Sequence, residues 1–131
     1  MAAPAIRPLV EPDIAPVVAL SLRAWAPVFA SFRTVLGEGI FRHLYDDWSA
    51  HQAAAVERVL RDDGTHAWVA DVAGHPAGFV AVVHHGPDAD EPDSSEVEMI
   101  AVDPAHQRRG VAAALLAQAV DAMRERDRAW A

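Results

Sequence analysis

The chain has 131 residues, of which 52% are apolar, and carries a formal net charge of -8. This length fits a single domain on one core, residues 1–131, and the acidic balance disfavours a nucleic-acid partner because phosphate neutralisation needs a basic surface. No Cys is present and all eleven basic residues are Arg, which removes disulfides, thiolate metal sites, Cys nucleophiles, Lys Schiff bases and a Walker-type phosphate loop.

Residues 1–8 lack a basic stretch followed by an apolar core and a cleavage site, so a cytoplasmic address is expected. The longest apolar runs, residues 67–72 and 77–83, are broken well before the roughly 20 residues of a membrane span, and no membrane partner is expected. Residues 6–10 predict a first strand, after which Pro12 and Asp13 offer a turn and a helix N-cap. Ile14, Val17, Val18, Leu22 and Trp25 repeat at helical spacing, and Pro27 is expected to end or kink that helix. After a break at Gly37 and Gly39, the apolar positions of residues 40–60 predict one or two more helices, closed by Asp63 and Gly64. Residues 67–72 and 77–83 flank Ala73, Gly74, His75 and Pro76, a hairpin pattern in which Gly78 marks a bulge or a close backbone approach. Residues 85–95, rich in Asp, Glu and Pro, predict an exposed loop. Residues 96–102 resume strand alternation, and residues 109–126 place Val111, Ala112, Leu115, Leu116, Ala119 and Met123 within a helical band of roughly 140° that should face a sheet. The order of elements defines an α/β or α+β fold.

The informative segment is residues 96–116, EVEMIAVDPAHQRRGVAAALL, where a strand passes through a short loop into a helix. A helix start carries unpaired N–H groups and the positive end of the dipole, which together favour an anion. Gly110 keeps a side chain out of the way, and Arg108 and Arg109 stand where cations are disfavoured unless an anion lies between.

The run Gln107, Arg108, Arg109, Gly110, Val111, Ala112 resembles the Gln/Arg-x-x-Gly-x-Gly/Ala signature of the GNAT N-acetyltransferases, and Met99 to Pro104 resembles the strand and turn before it. The resemblance implies a GNAT-like acyl-CoA N-acyltransferase fold, a mixed, mostly antiparallel sheet flanked by helices. It implies acetyl-CoA as cosubstrate. The N–H groups of Arg108, Arg109, Gly110, Val111, Ala112 and Ala113, with Gln107, would hold the diphosphate, and main-chain groups of Ile100, Ala101 and Val102 the pantetheine arm. The acceptor would be a primary amine of a small molecule or peptide.

Acetylation needs the neutral amine, and deprotonating an alkylammonium at pH 7 costs about 4 kcal/mol, so a base is useful. Glu96 and Glu98 lie two apart on the strand and share a face; the resemblance implies a Glu base here and its spacing from Gln107 favours Glu96. Both carboxylates equally suit a solvated sheet face. Trp25, Phe41 and Trp48 suit an amine pocket or the core. Tyr45, the single Tyr, sits too early to match the family's Tyr acid. His84 and His85 show no metal-ligand spacing, and no metal is expected.

The family usually continues with another strand, a helix and a hairpin, so a C-terminally truncated form of the fold is expected. A homodimer would supply a missing strand. The alternative activities are an acyl-CoA-binding or oligomerising module without turnover, and an inactive fragment.

Overall fold

The computed structural model describes residues 4–84 and 95–130. The strands are β1 (Ala5–Pro8), β2 (Thr65–Val72), β3 (His75–His84) and β4 (Ser95–Val102). The helices are α1 (Ile14–Leu36), α2 (Glu38–Tyr45), α3 (Trp48–Arg61) and α4 (Val111–Trp130), and single 3-10 turns cover Glu11–Asp13 and Pro104–His106. The sheet has the order β1-β2-β3-β4 and every neighbouring pair is antiparallel.

Alternation along the strands divides the core into two layers. Val69, Phe79, Ala81 and Ala101 face α1 and α3 through Val17, Leu20 and Val56. Ala70, Val80, Val82 and Val102 face α4 through Val111, Leu115 and Ala119. The expected α4 band is thus split. Its centre is buried, while Ala112 and Leu116 at its margin are exposed.

The hairpin closes more tightly than the sequence suggests. Ala73 and Gly74 both have positive φ, 54° and 83°, the pair a two-residue type I′ turn requires. His75 and Pro76 therefore belong to β3, and Pro76 is tolerated because β4 reaches only as far as Gly78. Gly78 marks a close approach. A Cβ there would lie 3.0 Å from the Ala101 carbonyl oxygen and 3.1 Å from Val111 Cγ1.

Pro27 does not end α1, which runs nine residues beyond it to Leu36. All four buried residues of α1, Ile14, Val17, Leu20 and Ser21, precede Pro27. The second half is held instead by aromatic packing: Phe29 stacks on Trp48 at 4.3 Å, and Phe32 stacks on Tyr45 at 5.5 Å. Tertiary contacts here outweigh the hydrogen bond that Pro removes. The stretch Glu11–Leu36 is also long and apolar enough, by length and composition, to cross a membrane, because the helix joins apolar runs that are each short in the sequence. Its first half packs on the sheet through Val17 and Leu20.

Asp13 precedes α1 but does not cap it with its side chain. Its carboxylate takes Arg7 Nη1 at 2.7 Å, Arg7 Nη2 at 2.9 Å and the Val10 N–H at 2.9 Å. The Arg7 bond outweighs the effect of burial and holds the Asp13 carboxyl below its ordinary range. Arg7 also reaches Asp71, so this cluster joins β1, β2 and the start of α1.

Candidate active site

The sheet ends in β4, whose outer edge pairs with no strand among the described residues. The bond from Asp103 N–H to the Ala77 carbonyl, 2.8 Å, fixes the phase of the ladder. In an antiparallel pair the main-chain groups of Ala101 and Met99 then point to β3, and those of Ile100 and Val102 point to the open edge. Gln107 Nε2 donates to the Val102 carbonyl at 3.2 Å, as that phase requires, and ties the following loop to the strand. Of Ile100, Ala101 and Val102, the first and last therefore offer backbone to a ligand, while Ala101 offers its methyl.

After the Pro104–His106 turn, Gln107 is extended, Arg108 is left-handed at φ 65° and Gly110 has φ 80°. These dihedrals turn the chain into α4. The first helical bond runs from Ala114 N–H to the Gly110 carbonyl at 3.0 Å, so the N–H groups of Val111, Ala112 and Ala113 lie ahead of the ladder. No atom approaches within 4 Å of a Cβ placed on Gly110. The cradle is open, and Gly is required by φ, not by crowding. Arg108 and Arg109 are exposed and form no ion pair among the described residues.

Asp103 fixes the other side of this turn. Its side chain accepts Arg23 Nη2 at 2.5 Å and the Ala105 N–H at 3.1 Å. Burial pushes its carboxyl up, but Arg23 and the Ala105 N–H outweigh burial and hold it below its ordinary 3.8. The α1 helix is thereby fastened to the turn that presents the cradle.

Two cavities flank the open edge. One, of about 430 Å³, lies towards α4 and includes Val28, Val102, Gln107, Ala112 and Leu116 in its wall. The exposure of Ala112 and Leu116 is explained by this cavity. The other, of about 380 Å³, lies towards α3 and includes Ser21, Gln52, Val56, Phe79 and Glu98. Trp25, Ile100 and Ala101 border both, so the two meet at the edge of β4.

A bulge puts Glu98 there. Val82 pairs with Val97 and Ala81 with Met99, leaving Glu98 without a partner across the strand. Glu96 stands opposite Val83 on the same face but does not border the cavity. Beyond the bulge the alternation changes phase, which sends Met99 and Ala101 to the α1 layer and Ile100 and Val102 to the α4 layer. Nothing in the sequence marks this slip.

Of the aromatic candidates, Trp25 lines both cavities, Phe41 is buried in the helical layer and Trp48 stacks on Phe29. Tyr45 packs against Phe29, Phe32 and Phe41 and borders neither cavity. His84 Nδ1 lies 2.5 Å from Ser95 Oγ and its ring meets that of His66. His85 and the acidic residues Asp88, Asp90, Glu91 and Asp93 lie outside the described residues.

The geometry combines a helix start with exposed main-chain donors, an open strand edge and a carboxylate across that edge. A family model described as the acetyltransferase (GNAT) family matches residues 27–131. No curated protein matches the sequence. Among solved structures, the chain is similar to a ribosomal-protein-alanine N-acetyltransferase from Brucella melitensis biovar Abortus 2308, with TM-score 0.57 and 24% identity, covering 96% of this chain and 75% of that one. It is similar to the PaiA N-acetyltransferase of Thermoplasma acidophilum in complex with coenzyme A, with TM-score 0.64 and 15% identity over 96% and 75% of the two chains. A Corynebacterium glutamicum protein described as histone acetyltransferase HPA2 and related acetyltransferase matches with TM-score 0.66 and 17% identity over 92% and 71%. These likenesses show a shared fold, and the family match spans most of the sequence: the chain belongs to the GNAT acetyltransferase family.

Proposed function

We propose that this chain transfers the acetyl group of acetyl-CoA to a primary amine of a small molecule or peptide. The observation that carries the reading is the meeting of two cavities at the β4 edge, with an amide cradle beyond one and Glu98 in the wall of the other. The open space at Gly110 and the free N–H groups of Val111, Ala112 and Ala113 fit a diphosphate, and Arg108 and Arg109 would then oppose its charge. Ile100 and Val102 present main-chain groups to an amide-bearing arm. PaiA, of the same fold, was solved with coenzyme A.

An ammonium entering the 380 Å³ cavity meets Glu98, which takes its proton. The neutral nitrogen attacks the thioester carbonyl carbon, forming the N–C bond as the C–S bond breaks, and the surplus proton on nitrogen passes to the departing sulfur or to solvent. The leaving thiolate, with an intrinsic pKa near about 8.5, needs little help from an acid. Between the two carboxylates, the cavity wall favours Glu98 as the base; Glu96 shares its face from outside that wall.

Because the chain has no Cys, every thiol released in an acetyl-CoA assay is product. Glu98→Gln should slow CoA release by about 10²–10⁴-fold with CoA affinity nearly unchanged, and Glu96→Gln should slow it less. Equal rates in Glu98→Gln and the parent chain remove Glu98 from the chemistry. CoA at 100 times its Kd should raise native stability by about 2.7 kcal/mol, and no rise would end the acetyl-CoA reading.

A further inference from the structure

We infer that Gln52 selects the acceptor, and that this acceptor is a primary amine of single charge on a compact apolar body bearing one hydrogen-bonding group. The inference rests on the acetyl-transfer reading of the same site.

The side chains around the 380 Å³ cavity set these terms. Among the described residues Glu98 is the only ionisable group in its wall, beside Trp25, Phe79 and Met99. One carboxylate matches one ammonium. A second cation on the same molecule would lose water against aromatic and thioether surface with no second carboxylate among the described residues of the wall, and a cation–π contact returns only about 0.5–2 kcal/mol. The volume lies near the lower end of the range of about 300–1,000 Å³ for small-molecule sites, suited to one ring or a short chain.

Two neutral polar side chains also border the cavity, and they differ. Ser21 is 1% exposed and its hydroxyl donates to the Val18 carbonyl at 2.7 Å, so its proton is already used within α1. Gln52 is half-buried and its amide has no hydrogen-bond partner among the described residues. An amide offers two donors and an acceptor. Gln52 lies one helical turn before Val56, which is 1% exposed and also in the wall, so the register of α3 holds the amide at the cavity. An acceptor that fills this amide gains a hydrogen bond in a partly dry site, and an apolar isostere leaves it unpaired.

The test is calorimetry of matched amines in the presence of CoA: tyramine with 2-phenylethylamine, 3-aminopropanol with butylamine, and β-alaninamide with butylamine, with spermidine as the polycation. In the parent chain at least one hydroxyl- or carboxamide-bearing member should bind about tenfold more tightly than its apolar match, and spermidine should bind weakly. Gln52→Leu should erase that preference while keeping affinity for the apolar member. Gln52→Glu, which adds a second carboxylate, should raise affinity for 1,4-diaminobutane about tenfold. An unchanged preference in Gln52→Leu, spermidine as the tightest ligand, or no binding by any amine overturns the inference. Binding is read without turnover, so the two readings fail separately. Selective binding with no CoA release removes acetyl transfer and leaves the selectivity of Gln52; CoA release with equal efficiency from both members of every pair does the reverse.

Discussion

Gly78 is the point at which packing and ligand binding meet, and Gly78→Ala tests whether they are coupled. The new Cβ would lie 3.0 Å from the Ala101 carbonyl oxygen, 3.1 Å from Val111 Cγ1 and 3.2 Å from Leu115 Cδ1, all closer than ordinary contact. None can give way easily. The carbonyl belongs to a paired strand, and Val111 and Leu115 are 3% and 0% exposed. The first turn of α4 must therefore lift from the sheet. Overpacking of this kind costs about 1–3 kcal/mol, and the lost freedom of the unfolded chain returns about 0.4–1 kcal/mol. The net loss is centred on about 1.3 kcal/mol within a range of about 0–2.6 kcal/mol, a central fall in Tm of about 4–6 °C at this chain length. Because Val111 begins the helix whose first amides form the cradle, CoA affinity should fall as well. Leu115→Ala is the control: it should cost about 2–5 kcal/mol by leaving a cavity, yet push nothing outward, so CoA affinity should be better kept for the stability lost. Calorimetric unfolding and CoA titration of both variants provide the comparison. A Gly78→Ala protein as stable as its parent, with the same Kd for CoA, would refute the close-packing argument.

Two further substitutions bear on the cradle. Gly110→Ala meets no steric obstacle but must adopt φ 80°, so it should lose about 1–2 kcal/mol of stability by thermal unfolding, and Gly110→Asn should lose less; equal stability of all three would contradict the assigned backbone. Asp103→Asn weakens the tie between α1 and the turn by about 0.5–1.5 kcal/mol. The folded carboxyl is held below its ordinary 3.8, so its stabilisation is complete above that pH and is lost as pH falls through the lower folded value. The variant should therefore show a shallower loss of stability on acidification; a parallel curve would show that Asp103 is not linked to folding.

Much of this organisation was legible in the sequence where pattern and local chemistry agree. The two runs around Ala73 and Gly74 gave the hairpin, the spacing of Val111, Leu115 and Ala119 gave the buried face of α4, and Gly110 marked the turn into that helix. What was hidden depended on distant partners. Pro27 reads as a stop or a kink, and that the helix continues is explained only when Phe29 and Phe32 meet Trp48 and Tyr45 from other helices. Asp13 reads as a cap until Arg7 takes its carboxylate. The Glu98 bulge left no trace, because the residues on either side still alternate, and only pairing with β3 reveals the extra one. Gln52, lone and polar on a helix, gave no signal before α3 was set beside β4.

That extra residue is surplus to the ladder yet not to the cavity it lines. Deleting position 98 would close the bulge and leave Val97 beside Val82 and Glu96 opposite Val83, so every remaining pair would keep its side while the carboxylate was lost from the cavity wall. Shortening this strand by one amino acid at that point is thus a change the sheet can absorb and the pocket cannot.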